Sequence, residues 1–290
     1  MRLDWINLRH RIEYALFCFA AALFSTLSVE TSSNLSGNLW RLVAPRLRRH
    51  RRALAHLQQA YPDKSETECD AIARDMWENL GRVFAEAFHL REFLTSERIV
   101  LEDEAYWLPK IGPGKASVVC AAHQGNWELA SIGLLRAKLE PTGVYQKITN
   151  PYVDRRLLEM RKPFYPGGLF EKRPAAAMEI LRYARAGGTV AFLADLRERN
   201  GVQVPFFGRP APSTPFPAFV ARMLDIPLLA ARIVREPGVH FRLSVERVDV
   251  PKTNDRNADV LAATANLHAA FERSIREKPE QWMWAHRRWG

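Results

Sequence analysis

His123 and Glu128 stand five positions apart in "SVVCAAHQGNWE", residues 117–128, where a short apolar run gives way to a glycine-bearing turn. An imidazole beside a carboxylate is general-base apparatus, because the carboxylate fixes the ring's tautomer and balances the imidazolium formed on proton uptake. No protein nucleophile accompanies the pair. GxSxG is absent, and Cys120 lies three residues before His123, so on one strand the two point to opposite faces. A base without a protein nucleophile suggests that the substrate supplies it, as when a hydroxyl attacks an activated acyl group. The competing reading is a histidine that merely satisfies the fold. HExxH is absent, and His-x4-Glu across a strand-to-helix turn is no metal-ligand spacing, so neither a metal nor another cofactor is expected.

Such residues need a frame. In open α/β sheets reactive groups collect beyond the carboxyl ends of strands. His123 ends one apolar run, and Asp195 ends another, "TVAFLADL". A helix beginning near Asn126 would place Glu128 in its first turn, favoured by the helix dipole and within reach of the imidazole. Asp195 has a rival reading as a helix cap or a partner of Arg197 or Arg199. Past residue 117, apolar runs alternate with helical stretches: "TGVYQ" and a helix from about 150 to 160, "AAAMEILRYARAGG", "IPLLAARIV", "VHFRLSVERVDV" and a final "ADVLAATANLHAAFERSIREKP". The alternation predicts an α/β fold, a largely parallel central sheet flanked by helices. "RERNGVQVPFFGRPAPSTPFP", residues 197–217, is read as a long connection, rich in Pro and Gly and unusually aromatic. Residues 46–94 are helical in pattern, with Ser65 and Glu68 in capping-box spacing. His56, His89 and His286 are read as structural or exposed. The terminal "WMWAHRRW" is either a packed tail or a membrane-interface belt built on Trp282, Trp284 and Trp289.

The bulk numbers narrow the classes. A chain of 290 residues, 47% hydrophobic and 26% charged, is globular. Three scattered cysteines give no disulfide framework or zinc spacing. The net charge of +10 calls for an anionic partner. Residues 1–52 hold nine Arg against Asp4, Glu13 and Glu30, so the excess lies beside the apolar "IEYALFCFAAALFSTLS". That points to a membrane surface, and no nucleic-acid signature argues otherwise. The apolar segment is open to three readings: a retained membrane-embedded helix, a buried core helix or a signal peptide. The Arg-rich "RLVAPRLRRHRR" that follows favours the retained anchor, and the chain divides into an anchoring segment, 1–45, and a catalytic domain, 46–290.

"HQGNWE" resembles the His-x4-Asp/Glu motif of glycerolipid-type acyltransferases, in the form found in the late acyltransferases of bacterial lipid A biosynthesis (the lauroyl/myristoyl transferase family). The resemblance is collinear over most of the chain, through "VYQKITNPYVDRRLLEMR", "GGTVAFLADL", "VPFFGRPAPSTPFPAFVARMLDIPLL" and "PEQWMWAHRRW". It implies transfer of a fatty acyl chain from acyl carrier protein to a hydroxyl of a lipid A precursor, on the cytoplasmic face of the inner membrane. His123 would be the base and Glu128 its orienting carboxylate. Arg161 would hold a phosphate or the developing oxyanion, and Asp195 matches an acidic site residue. Gly125 and Asn126 would shape the turn, and Phe206 and Phe207 would border the substrate, with a place in the core as their rival reading. Relatives commonly carry Tyr-Arg where this chain reads Tyr145-Gln146, so phosphate recognition there would pass to Lys147. Rival readings are acylation of another glycolipid such as a phosphatidylinositol mannoside, a lipid hydrolase that activates water, and a non-catalytic membrane scaffold.

Overall fold

The computed structural model describes residues 2–103, 107, 111–112, 114–173 and 175–289. Its main sheet has seven strands: β1 (Ile99–Leu101), β2 (Ser117–Ala121), β3 (Thr142–Tyr145), β4 (Leu169–Glu171), β5 (Thr189–Leu193), β8 (Leu228–Glu236) and β9 (His240–Val248). They are ordered β1-β9-β8-β2-β5-β3-β4, and only the β8–β9 pairing is antiparallel. All five residues of β2 are buried, which explains a continuous apolar run in place of an alternating one. Val118 and Cys120 enter one core on one face, while Val119 and Ala121 enter another on the opposite face. The expected α/β sheet is therefore present, and the shortest strands, β1 and β4, are those the sequence pattern did not announce.

Helices cover both faces: α3 (Arg48–Ala60), α4 (Glu66–Glu86), α5 (Leu90–Thr95), α6 (Ile132–Arg136), α7 (Pro151–Arg161), α8 (Ala176–Arg185), α9 (Phe216–Leu224) and α10 (Arg256–Glu277). The Ser65–Glu68 capping box forms, closing the first turn of α4 from both sides.

The stretch expected to be a connection contains a hairpin, β6 (Val202–Phe206) with β7 (Arg209–Ser213). Its two-residue turn puts Phe207 at φ 51° and Gly208 at φ 69°, the left-handed pair that matches strand twist. The prolines fit this ribbon. Phe206 opposite Arg209 closes the turn, so the next pair, Pro205 opposite Pro210, falls where no ladder hydrogen bond is made, and Gln203–Pro212 repeats that position.

At the N-terminus, α1 (Arg2–Ser25) and α2 (Val29–Val43) lie against the helical layer. The backbones of α2 and α4 approach closely because Gly81 has no side chain: a Cβ there would sit 2.6 Å from the Ser36 carbonyl, whose own hydroxyl donates to Gly81 O. One face of α1 packs through Tyr14 on Tyr152 and through Phe17 and Phe24 on Phe88. The other carries Trp5, Leu8, Ile12, Leu16, Phe19 and Leu23, an apolar stripe at helical spacing that stays exposed, with Trp5 at 68% and Phe19 at 70%. A buried core helix is thereby excluded for this segment. Among the described residues no helix is long and apolar enough to cross a membrane.

Candidate active site

β2 and β5 are parallel neighbours with Ala121 opposite Leu193. Two residues further on, at the carboxyl edge of the sheet, the two chains deliver His123 and Asp195. His123 Nδ1 lies 2.7 Å from Asp195 Oδ1, and its backbone N–H donates to Oδ2 at 3.0 Å. The indole of Trp282 donates to the same Oδ2 at 2.7 Å. Asp195 is fully buried. Burial alone would raise its pKa, but the His123 charge and these donors outweigh it and hold the carboxyl well below the usual carboxylate range. An ionised acceptor at Nδ1 holds the ring as the Nδ1–H tautomer and leaves the lone pair on Nε2, which has no partner among the described residues. The imidazole is 12% exposed, open enough for a substrate hydroxyl to reach it.

The carboxylate that grips the imidazole is thus Asp195, and the expectation that Glu128 would do so is corrected. Glu128 follows Asn126, whose side chain accepts from its backbone N–H, but the first turn is a 3₁₀ turn, Trp127–Leu129, and its carboxylate faces α7. There Arg161 donates to it through both Nε (2.8 Å) and Nη2 (2.5 Å). Burial opposes the Arg161 charge, yet the Glu128 partner more than offsets it and raises the guanidinium's pKa. His123 and Trp127 meet edge to face at 5.2 Å, so the His123–Asp195 and Glu128–Arg161 pairs flank one turn.

Gly125 and Asn126 do shape that turn. Gly125 has φ +58°, and a Cβ there would lie 2.3 Å from the carbonyl of Ile233. Asn126 is wholly buried and donates to Glu86, which takes both guanidinium arms of Arg235 at 2.6 and 2.8 Å. Asn126 is accordingly a structural tie that faces the buried Glu86–Arg235 pair. Phe206 and Phe207 are also corrected: both are buried in the aromatic core behind Asp195, stacked around Trp282, Trp284 and Trp289, because the hairpin turns inward. Lys147 is exposed and makes no ion pair among the described residues. Neither Arg197 nor Arg199 pairs with Asp195.

Three contacts escaped the residue pattern: Trp282 with Asp195, His286 with His123, and Glu86 with Arg235. Trp282 belongs to a packed tail, which settles the terminal segment against an interface belt: Trp282, Trp284 and Trp289 are buried, and Met283 N donates to His123 O. His286 stacks on His123 at 6.0 Å; burial first, then the His123 charge, pushes its pKa down to about 4, so it is neutral near pH 7. The Glu86–Arg235 pair joins residues 149 apart and carries no local signal at all. His56 and His89 are structural, His56 bonded to Trp284 O and His89 to Ser32 and Glu92.

The bacterial lipid A biosynthesis acyltransferase family matches residues 5–290. The chain belongs to that family. It is also similar to a phosphatidylinositol mannoside acyltransferase of Mycolicibacterium smegmatis, 25% identical over 231 residues that make up 76% of this chain and 73% of the relative. A second phosphatidylinositol mannoside acyltransferase, from Mycobacterium tuberculosis, is 24% identical over 225 residues, 73% of this chain and 68% of that one. Membership makes the chain an acyltransferase, in keeping with a base that has no protein nucleophile beside it.

Proposed function

We propose that the chain moves a fatty acyl group from acyl carrier protein to a hydroxyl of a lipid A precursor, with His123 as general base. The observation that carries this reading is the His123–Asp195 pair: Nδ1 engaged by a buried carboxylate, Nε2 open, and no nucleophilic side chain beside it. Nε2 takes the proton of the acceptor hydroxyl as its oxygen attacks the thioester carbonyl. A C–O bond forms, the C–S bond breaks as the tetrahedral intermediate collapses, and the imidazolium returns its proton to the departing thiolate. Asp195 stabilises the imidazolium between those steps. Glu128 acts through Arg161, fixing a guanidinium that keeps Nη1 free for a phosphate or the developing oxyanion.

The acceptor has a second reading, since both mycobacterial relatives are named for a phosphatidylinositol mannoside. The exposed stripe of α1 and the excess of Arg in residues 1–52 support attachment to the cytoplasmic face of the inner membrane by a helix lying in the interface. The test is mass spectrometry of lipids made by the purified protein from acyl carrier protein thioester and either acceptor, with His123→Ala beside the native chain. Acylation of the lipid A precursor, falling by roughly 10²- to 10⁴-fold in the variant, is the expected result. Acylation of the mannoside alone replaces the acceptor; free fatty acid without acceptor indicates a hydrolase; undiminished transfer by His123→Ala overturns the mechanism.

A further inference from the structure

A cleft of about 460 Å³ opens between α1, α7 and the segment 87–91. That size lies within the roughly 300–1,000 Å³ common for small-ligand sites. Its walls are of two kinds. Ala21, Phe88, Leu90 and Met160 are apolar, while the exposed Arg91 and Arg156 line the same cleft. In this chain most arginines near the site are engaged: Arg161 by Glu128, Arg235 by Glu86, Arg82 by Glu78. Arg91 and Arg156 have neither an ion pair nor a side-chain hydrogen bond among the described residues. The one carboxylate in the cleft, Glu159, is taken by Lys162, and the Ser25 hydroxyl by Ala21 O. Two cations without an ion pair thus share the cleft with an apolar wall, and Arg156 feels the Glu159 carboxylate only at longer range. Ala21 and Ser25 reach the cleft from the face of α1 that packs on Phe88, so the exposed stripe with Phe19 and Leu23 lies on the far side of the helix.

We propose that this cleft is an anionic-lipid site, in which Arg91 and Arg156 hold the lipid phosphate and the apolar part lies along Phe88 and Met160. Guanidinium groups match phosphate oxygens bidentately, and two of them neutralise a phosphodiester with charge to spare. The Phe88, Leu90 and Met160 side of the cleft gives the apolar part of such a lipid a surface next to the arginines. A soluble anion would have no use for the Phe88–Met160 wall, and a neutral lipid none for the arginines. The inference draws on neither His123 nor the identity of the acceptor.

The experiment is calorimetric titration of the full chain with dihexanoyl phosphatidylglycerol below its micelle concentration, with dihexanoylglycerol and inorganic phosphate as separate probes. Saturable binding of the phosphatidylglycerol is expected, weakened tenfold or more in Arg91→Gln/Arg156→Gln, partly restored in Arg91→Lys/Arg156→Lys, and unchanged in the surface variant Arg185→Gln. Dihexanoylglycerol should bind at least tenfold more weakly, and inorganic phosphate at matched concentration should not displace the lipid. No saturable binding, equal affinity in the double Gln variant, or equal affinity for dihexanoylglycerol would overturn the site. Displacement by inorganic phosphate would overturn the lipid assignment. Because binding is read without acyl transfer, loss of this site and loss of the catalytic reading are separate results.

Discussion

At the residue scale the site turns on which carboxylate the imidazole chose. Glu128 is near in sequence and Asp195 is 72 residues away, yet β2 and β5 run side by side and bring the distant one to Nδ1. Local spacing made His123 legible, along with the turn at Gly125; the partner depended on strand order, which apolar runs alone do not encode. Asp195→Asn tests the assignment. The amide keeps the volume but removes the charge that steadies the imidazolium and the acceptor that fixes the tautomer. Acyl transfer should fall by roughly 10²-fold or more, and the double variant with His123→Ala should be no slower than His123→Ala alone, since both act on one proton transfer. Glu128→Gln should cost less and act through Arg161. A second signature is thermodynamic. The native Asp195 carboxyl titrates below its unfolded value of about 3.9, so its charged form stabilises the native state fully above pH ~4, and that contribution drains as pH falls toward the native pKa. The gap in melting temperature between the native chain and Asp195→Asn should therefore be constant near neutrality and narrow below pH ~4. A variant with native transfer rates would leave Asp195 a structural residue.

The elements that hold the turn are not those nearest it in the chain. Glu86 at the end of α4 receives Arg235 from β8, Ser33 from α2 and Asn126 from the turn, all within 2.6 to 2.8 Å. Arg235 also donates to Asn79 and lies over the Phe241 ring at 4.8 Å. Burial would raise the Glu86 pKa, but Arg235 and these donors keep it lowered, so the pair is charged in the interior. Strands and amphipathic helices were readable because their periods are local. This network was not, because nothing in a lone Glu on a helix announces a partner on a strand. For the same reason the β6–β7 hairpin was hidden: its prolines mimic a loop, and only the pairing register shows that they occupy non-ladder positions. Removing one member of the network strands the other. Glu86→Gln should cost about 3–5 kcal/mol in urea unfolding, whereas Glu86→Leu/Arg235→Met should be less destabilised than either of its single changes. Additive losses in that cycle would show that the two groups do not act as a pair.

At the scale of the whole molecule, positive charge collects near the site as well as in the N-terminal segment. Arg48, Arg49 and Arg51 on α3 are exposed, and none of the three has an ion pair among the described residues. The charges of Arg49 and Arg52 are felt at His286, which stacks on His123, so this basic face lies close to the site's mouth. An acyl carrier protein is acidic, and on the proposed reaction it must bring its thioester to that mouth. A coenzyme A thioester presents the same reactive carbonyl without the protein surface. Complementary charge acts mainly on encounter, so its effect belongs in kcat/KM and weakens with salt. With acyl chains matched and one acceptor lipid, the carrier-protein donor should have the higher kcat/KM at low salt. That advantage should shrink as ionic strength passes about 0.15 M, where the screening length is about 8 Å. Arg48→Gln/Arg49→Gln/Arg51→Gln should remove most of the carrier advantage and its salt dependence while leaving the coenzyme A rate within about twofold, since these side chains meet the partner and not the reacting atoms. Initial rates for both donors across a salt series provide the measurement. A carrier advantage indifferent to salt, or undiminished in the triple variant, would assign the basic face of α3 to the anionic membrane instead of the donor.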